Sequence, residues 1–406
     1  MLRIPKEYQV GLLMACAAFF TLAGYEFIRS PATVLFKNAY GAENLPLVMA
    51  AMPLVVFFGV ALYGWILSRL GPRRTLIVTS LGSAMMILAC YLGVLAGSKI
   101  ITPILFLTKE FYIVLLIEQY WSYINSSLSS DTAKKLNGPI TGIAGLGAVV
   151  GGKLVGVTAG PLGTEAMLVF AALLLIPAVL VSNYTYRAFG EPTTPREQSD
   201  GKHHYMGWQL FRSNPTLASL LAIVLTTQVI AAVLDFKFQG MLSSTFAGDT
   251  DGETSFQGDF WGNVNLTSLG IQFIGAPLLL SFLGIRWVHL LLPLVHIVAI
   301  TIAIINPTIF TVGLAFLLFK AFDYSIFRAA KEMIYIPLGF DARYRAKEVI
   351  DVFGYRTGKG GSSLLIASLQ KAGLAMSSYY LYIALAFTAV WIALVFPLTK
   401  KRDDSV

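Results

Sequence analysis

The sequence predicts an all-α membrane protein whose twelve transmembrane helices form two six-helix lobes related as pseudo-repeats. Three observations support this prediction: the composition, the recurrence of long apolar runs, and a similarity between the two halves of the chain. Of the 406 residues, 56% are hydrophobic and 13% are charged, whereas a soluble domain has roughly 25% charged residues. Because a membrane-spanning helix needs about 20 apolar residues, a chain of this length has room for a dozen spans joined by short loops.

The apolar runs define the order of spans and one long linker. Segment 188–212 is the longest polar stretch and is rich in proline, glycine and charge. It is predicted to be a cytoplasmic linker between a lobe of residues 1–187 and a lobe of residues 213–406. The predicted spans cover residues 8–28, 45–68, 75–96, 100–125, 137–159, 163–187, 215–242, 259–282, 286–305, 308–332, 348–373 and 377–398.

Positive charge is distributed unequally among the predicted loops. Lys and Arg residues cluster on the side of the two termini and are sparse on the opposite side, which predicts that both termini are cytoplasmic. The acidic segment 248–259 falls on the opposite side and is expected to be an external loop. This asymmetry accounts for the net charge of +8 without a nucleic-acid partner. The expected location is integral to a lipid bilayer, the inner membrane of a bacterium.

The two halves of the chain align with each other at a constant offset. Residues from Ala133 onward fall on residues from Ala346 onward, which places Lys134 on Lys347 and, further upstream, Glu110 on Asp323. The alignment covers helix, loop and next helix in each half. Parallel repeats joined by a central linker are typical of a two-lobed secondary transporter, whose substrate site lies between the lobes near the membrane midplane.

A short basic loop follows the second predicted span. It reads GWILSRLGPRR from Gly64 to Arg74. This pattern resembles the loop 2–3 signature of the major facilitator superfamily, in which a glycine precedes an acidic residue and a basic–glycine–basic run. Ser68 stands where that signature has its acid. The resemblance implies the major facilitator fold for this chain.

Cationic side chains lie inside or at the ends of the apolar runs. Charge at membrane depth costs several kcal/mol per residue, so such residues usually line a polar cavity and carry function. Lys153 and Lys320 belong to this set. Nine cationic positions within one helical bundle indicate a cavity for an anion. The candidate substrate-binding residues are Arg29, Lys109, Lys237, Arg328, Lys331, Arg356 and Lys359.

Acidic side chains accompany these cations. Each carboxylate has two open interpretations: it is the counter-ion of a neighbouring cation, or it binds a proton that is coupled to transport. Asp323, Arg328 and Lys331 lie on one predicted span, where Asp323 and Arg328 are slightly more than one α-helical turn apart. The candidate coupling or counter-ion residues are Glu26, Glu110, Glu118, Asp235, Asp323 and Asp351.

The stretch 318–363 combines basic residues, an acid and a glycine pair in a fixed order. Its elements are Lys331-Glu332, Ile336-Pro337-Leu338, Ala346-Lys347, Ile350-Asp351 and Lys359-Gly360-Gly361-Ser362-Ser363. In these elements the stretch resembles the corresponding region of the Tlc-type ATP/ADP translocases of obligate intracellular bacteria and plastids. That family exchanges nucleotides across membranes, so the resemblance implies nucleotide transport and assigns phosphate contact to Lys331 and Lys359. Shortly after Arg29 the family has a lysine–aspartate pair, where this chain has Ala32 and Thr33.

The leading functional hypothesis is a secondary transporter that moves an anionic, phosphorylated solute by alternating access. A nucleotide is the most specific candidate for that solute, as in ATP/ADP exchange. A second hypothesis is a proton-coupled major facilitator exporter of an unrelated organic solute, with Glu110 or Asp235 as the proton site. A third is a membrane assembly protein that keeps a transporter fold without transport. The pattern contains no catalytic triad or paired catalytic carboxylates, so an enzyme is not expected.

No metal or cofactor is predicted. The four histidines lack metal-ligand spacing, and Cys16 and Cys90 fall in apolar segments where inert thiols are expected. One predicted span contains two GxxxG pairs, Gly147 with Gly151 and Gly152 with Gly156. Such glycines allow the close approach of helices, here within one chain, and the oligomeric state is left open.

Overall fold

A computed structural model describes residues 5–191, 211, 214–335 and 349–399, without the side chains of residues 351–353, 356 and 399. The ordered elements in these ranges are helices. Short 3₁₀ turns cover Ala42–Asn44 and Met376–Ser378, and π-helical turns cover Ile271–Gly275, Asp323–Phe327 and Val349–Gly354. The α-helices are α1 Lys6–Tyr40, α2 Leu45–Ala50, α3 Met52–Leu95, α4 Ile101–Ser127, α5 Ser130–Leu162, α6 Ala166–Phe189, α7 Pro215–Thr245, α8 Thr250–Gly270, α9 Ala276–Phe282, α10 Ile285–Ile305, α11 Ile309–Phe322, α12 Arg328–Tyr335, α13 Tyr355–Lys371 and α14 Tyr380–Thr399.

Each of the twelve predicted spans coincides with helix over the described residues. Nine continuous helical segments there are long and apolar enough to cross a membrane, and one of them, α3, contains two predicted spans. The two remaining spans are α4, which carries three ionisable residues, and α13, which has 17 residues. The all-helical fold class predicted from the apolar runs is confirmed.

The predicted loop between the second and third spans is a break inside α3. Gly71 has φ 73° and ψ 168°, a left-handed conformation that glycine adopts readily because it has no Cβ. Pro72 follows and has no backbone N–H to continue the helical hydrogen bonds. The Thr75 hydroxyl then donates to the Gly71 carbonyl at 2.7 Å. The glycine–proline pair therefore turns the chain where the basic loop was predicted.

The acidic segment 248–259 is not a loop, and this expectation was wrong. Helix α8 begins at Thr250, nine residues before the predicted span. The Asp249 carboxylate accepts a hydrogen bond from the Gly252 amide at 2.8 Å, so it stabilises the first turn of the helix. Glu253 is only 2% exposed. Polar composition indicated an exposed loop, but Lys37 on α1 and Thr164 just after α5 give Glu253 and Thr254 partners that allow these two side chains to be buried.

The chain forms two compact units. The first comprises Met1–Gly41, Leu54–Asp200 and Phe246–Leu266. Its core is built around α1, which packs against α4, α5 and α6 and buries Met14 and Ile28 completely. Because α1 is covered on several sides, it is buried over most of its length, including its polar and charged positions.

The second unit comprises Ala42–Pro53, Gly201–Thr245 and Thr267–Val406. Helix α7 lies at its centre and packs against α11, α13 and α14. Helix α2 also belongs to this unit and packs on α13. The lobe boundaries predicted at residues 187 and 213 remain a prediction, since each unit contains one segment from the other half of the sequence.

Glycines of α5 bring neighbouring helix backbones into direct contact. A Cβ atom added at Gly151 would lie 2.5 Å from the carbonyl oxygen of Ala23 on α1, and one at Gly152 would lie 2.6 Å from the Gly262 amide on α8. The two GxxxG pairs therefore face two different partners of the same chain, as the sequence predicted. Close backbone approach of this kind strengthens van der Waals packing between membrane helices.

Replacing Gly151 with alanine is expected to lower the stability of the protein. The added methyl group would meet a backbone oxygen that cannot rotate away, which costs about 1–3 kcal/mol. Gly160→Ala on the same helix is the matched control, because a Cβ there meets nothing within 4 Å. Thermal unfolding in detergent should give a lower midpoint for Gly151→Ala and an equal or higher midpoint for Gly160→Ala. Equal midpoints for both variants would contradict the packing role.

Candidate functional site

Four charged residues of α1 and α4 form the first charge cluster: Glu26, Arg29, Lys109 and Glu110. The Arg29 guanidinium donates from Nη1 to Glu26 Oε1 at 3.2 Å, and the side chains are 12% and 2% exposed. Lys109 Nζ lies 2.8 Å from Glu110 Oε1, and its positive charge also acts on Glu26. The cluster therefore contains two cations and two acids in ion-pair contact, and the choice between a counter-ion and a coupling role for these acids stays a prediction.

The Arg29 side chain is held from both sides. Its guanidinium carbon lies 3.2 Å from the centroid of the Trp261 ring and 5.4 Å from that of Tyr25. Asn265 donates from Nδ2 to Glu26 Oε1 at 3.0 Å. A cation over an aromatic face is attracted by the ring quadrupole, most strongly when it is desolvated. Arg29, predicted to bind substrate, is therefore engaged in contacts of the protein itself.

A further ion pair joins Lys37 of α1 to Glu253 of α8. The Lys37 ammonium contacts Glu253 Oε1, with side-chain exposures of 1% and 3%. Gln257 donates from Nε2 to the same carboxylate oxygen at 3.3 Å. Sequence reasoning missed this pair because it placed Glu253 in an external loop, and it missed the Trp261 contact because hydropathy does not identify the partners of a span.

The second charge cluster lies where α11 passes into α12 and comprises Lys320, Asp323, Arg328 and Lys331. A π-helical turn covers Asp323–Phe327. Hydrogen bonds in a π-helix run from residue i to i+5, so this turn brings Asp323 and Arg328 closer to one face than an α-helix would. The sequence analysis assumed α-helical spacing and placed the two residues slightly more than one turn apart.

The second charge cluster is rich in positive charge. Lys320, Arg328 and Lys331 all act electrostatically on the Asp323 carboxylate. Asp323 Oδ1 is buried and has no hydrogen-bond partner in the part of the chain that the structure describes. Lys331 is 3% exposed, and its Nζ lies 4.8 Å from the centroid of the Tyr355 ring on α13. Adjacent Glu332 supplies one more acid.

Helix α13 places Lys359 beside a packing surface. The hydroxyls of Ser362 and Ser363 donate to the Lys359 carbonyl at 3.0 and 2.7 Å, so they satisfy backbone within the helix. A Cβ at Gly358 would meet Gln228 at 2.9 Å, and one at Gly360 would collide with Pro53. These two glycines thus serve close helix packing, while the Lys359 side chain is half-buried.

The remaining predicted residues are spread over several elements. Asp235 and Lys237 are half-buried on α7, and no ion pair joins them among the described residues; Asp235 instead accepts from Gln239 at 3.5 Å. Glu118 is exposed on α4. The side chains of Asp351 and Arg356, and the whole of the predicted Ile336-Pro337-Leu338 turn and of Ala346-Lys347, lie outside the described residues.

Solved transporter structures share the fold of this chain. A nucleoside transporter, NupG, aligns with a TM-score of 0.69 and 12% identity over 96% of this chain and 98% of that chain. A bacterial homologue of the iron transporter ferroportin, in an inward-facing state, aligns with a TM-score of 0.67 and 13% identity over 97% and 99% of the two chains. These likenesses confirm the predicted major facilitator fold.

The sequence comparisons give matches to ATP/ADP transporters. Residues 272–402 match the family model described as TLC ATP/ADP transporter. ADP,ATP carrier protein 1 of Arabidopsis thaliana chloroplasts is 23% identical over 96% of this chain and 73% of its own length. ADP,ATP carrier protein 4 of Rickettsia prowazekii is 31% identical over 34% of this chain and 26% of its own length. The resemblance to the ATP/ADP translocases is thereby confirmed, and the chain is a membrane transporter and not an enzyme.

Removing the charge of Arg29 is expected to destabilise the protein strongly. Arg29→Gln would leave the Glu26 carboxylate buried without its ion-pair partner, which costs about 3–5 kcal/mol. Lys134→Gln is the matched control, because Lys134 and Asp131 have the same three-residue spacing on a helix but side-chain exposures of 75% and 91%, and exposed pairs contribute little.

Thermal unfolding of the two variants in detergent measures this difference. The double variant Glu26→Gln/Arg29→Gln should recover much of the loss, because no uncompensated charge is left. If Arg29→Gln unfolded at the same temperature as Lys134→Gln, the first charge cluster would not contribute to stability as a neutralised pair.

Proposed function

We propose that this chain is a secondary transporter that carries a nucleotide, or a closely related phosphorylated anion, by alternating access between two lobes. One observation carries the proposal: the second charge cluster lies within residues 272–402, the part of the chain that matches the ATP/ADP transporter family. The matched relatives are ADP,ATP carriers by name.

The charges of the second cluster support an anionic substrate. Lys320, Arg328 and Lys331 act electrostatically on the Asp323 carboxylate. With Glu332 the second cluster has three basic and two acidic groups, whereas the first charge cluster has two of each. Lysine ammonium groups bind phosphate oxygens as point charges, and they do so more strongly where water is excluded. In this proposal Lys331 and Lys359 contact the phosphates, and Asp323 is the internal counter-ion of the empty site.

The proposed transport mode is exchange. In an exchanger, the binding site turns back to the first side of the membrane only after a second anion has replaced the first. The net positive charge of the site is therefore always neutralised by a bound anion during this change. In the proposed orientation both termini are cytoplasmic and the membrane is the inner membrane of a bacterium. Arg356 and Lys237 remain candidate ligands in this proposal.

Uptake of labelled ATP into liposomes containing the purified protein is expected to depend on the anion trapped inside. Vesicles loaded with ADP or phosphate should accumulate label, and vesicles loaded with a neutral solute should not, because exchange requires a counter-substrate. Uptake that followed a pH gradient and ignored the internal anion would instead favour the proton-coupled exporter.

Neutralising either proposed phosphate ligand is expected to reduce uptake. Lys331→Gln and Lys359→Gln should each lower kcat/KM for ATP by about 10- to 100-fold, the loss of one hydrogen bond to a charged group. Lys371→Gln is the matched control, since Lys371 lies on the same helix as Lys359 but is exposed. Unchanged kinetics in the first two variants, with normal folding, would remove them from the site.

A further inference from the structure

One aromatic ring beside the second charge cluster is left uncovered. Tyr324 is 39% exposed, although it lies near the middle of the helical segment Ile309–Tyr335, which is long and apolar enough to cross a membrane. On the same segment Phe316, Phe319 and Phe327 are at most 1% exposed. The packed core therefore uses the neighbouring aromatic rings and leaves the Tyr324 ring available.

Two basic side chains lie about one turn to either side of Tyr324. Lys320 Nζ is 5.7 Å from the centroid of the Tyr324 ring, and Arg328, on the other side, is exposed. Residues four apart on an α-helix drift around it, because about 3.6 residues complete a turn. The π-helical turn Asp323–Phe327 needs more residues per turn and so offsets part of this drift. Lys320, Tyr324 and Arg328 are here named the open column.

The depth of the open column indicates that it faces water and not lipid. Charged side chains within membrane spans almost always face the bundle interior or a water-filled cavity, and Lys320 lies near the middle of its span. Among the described residues, neither Lys320 nor Arg328 has a carboxylate in salt-bridge contact. The two cations are therefore placed to attract an anionic solute beside the exposed ring.

The equivalent aromatic residue of the first unit is used for packing. The constant offset between the two halves of the chain places Phe111 on Tyr324. A Cβ atom added at Gly59 on α3 would collide with the Phe111 ring, so that ring fills a close contact between two helices. Both halves thus have an aromatic residue at this position, and the one in the second unit is left exposed beside cations.

We propose that the Tyr324 ring stacks on the base of the transported nucleotide. The inference rests on the proposed function, in which Lys331 and Lys359 contact the phosphates. Since an α-helix rises about 1.5 Å per residue, Tyr324 and Lys331 are about 10 Å apart along the axis, a separation similar to that between the base and the terminal phosphate of a nucleotide. Every base has a π face that can stack on an aromatic side chain. A stacking residue therefore distinguishes a nucleotide from phosphate or a sugar phosphate, which have no aromatic group.

Equilibrium binding of ADP and of pyrophosphate to the purified protein separates base contacts from phosphate contacts. Tyr324→Leu should weaken ADP binding by about 5- to 150-fold, the loss expected when a base–aromatic stack is removed, and should leave pyrophosphate binding unchanged. Tyr324→Phe keeps the ring and should bind ADP as the wild-type protein does. Tyr382→Leu, at an exposed position on α14, is the matched control and should bind both ligands normally.

The outcomes of the binding experiment distinguish the stacking role from the proposed function. Unchanged ADP binding in Tyr324→Leu, or equal weakening of ADP and pyrophosphate binding, would overturn the stacking role alone. A wild-type protein that bound pyrophosphate and not ADP would overturn the nucleotide as substrate, and the stacking role with it. Tyr324→Gln is a second variant without an aromatic ring in case Tyr324→Leu folds poorly, which thermal unfolding would reveal.

Thiol labelling in liposomes tests whether the open column faces water. In a background in which Cys16 and Cys90 are replaced with alanine, Tyr324→Cys should react with a charged methanethiosulfonate. Saturating ADP should slow this reaction, and saturating pyrophosphate should not, because only ADP has a base to cover the position. Val298→Cys is the matched control, since Val298 is 60% exposed on the apolar span α10 and should not react. If Tyr324→Cys were as unreactive as Val298→Cys, the ring would face lipid and the inference would be overturned.

Discussion

Charge buried among apolar helices must be neutralised or hydrated, and this constraint shapes the whole molecule. In the first charge cluster two acids balance two cations. The Trp261 ring of α8 contacts Arg29, and the Asn265 amide of α8 donates a hydrogen bond to Glu26. The second charge cluster has a different balance, since Lys320, Arg328 and Lys331 outnumber Asp323 and the adjacent Glu332, and Arg328 is exposed.

Much of the fold could be predicted from the sequence, because a membrane-spanning helix requires a long run of apolar residues. The spans, the break at Gly71 and the glycine contacts of α5 all have local signals, such as a run of apolar residues, a glycine–proline pair or a repeated small residue. The start of α8 has no such signal. Glu253 and Thr254 are polar and become buried only because Lys37 and Thr164 lie opposite them, and pairing between distant segments is not encoded in hydropathy.

The candidate site was predictable in composition and not in geometry. The charged residues could be named from their depth in the apolar runs, but their partners could not. Spacing arguments assumed 3.6 residues per turn, and the π-helical turn at Asp323–Phe327 alters that register at the acid around which the cations gather. π-Helical turns frequently occur at functional sites, and a second one, Val349–Gly354, leads directly into α13 and Lys359. These two of the three π-helical turns lie in the segment 318–363, whose sequence resembles the translocases.

The composition of the first unit has a consequence for biosynthesis. Its last piece, Phe246–Leu266, follows the rest of the unit by some 45 residues that belong to the other unit. When the first six predicted spans have been synthesised, α1 therefore still lacks Glu253, the ion-pair partner of Lys37, and Trp261, which contacts Arg29. Arg29 already has Glu26 on its own helix, but the Lys37 ammonium must stay hydrated or shielded until the ribosome has added α8. Assembly of the amino-terminal half is thus completed by the carboxy-terminal half, and truncation between them would leave a membrane intermediate with exposed charge for quality-control proteases to recognise.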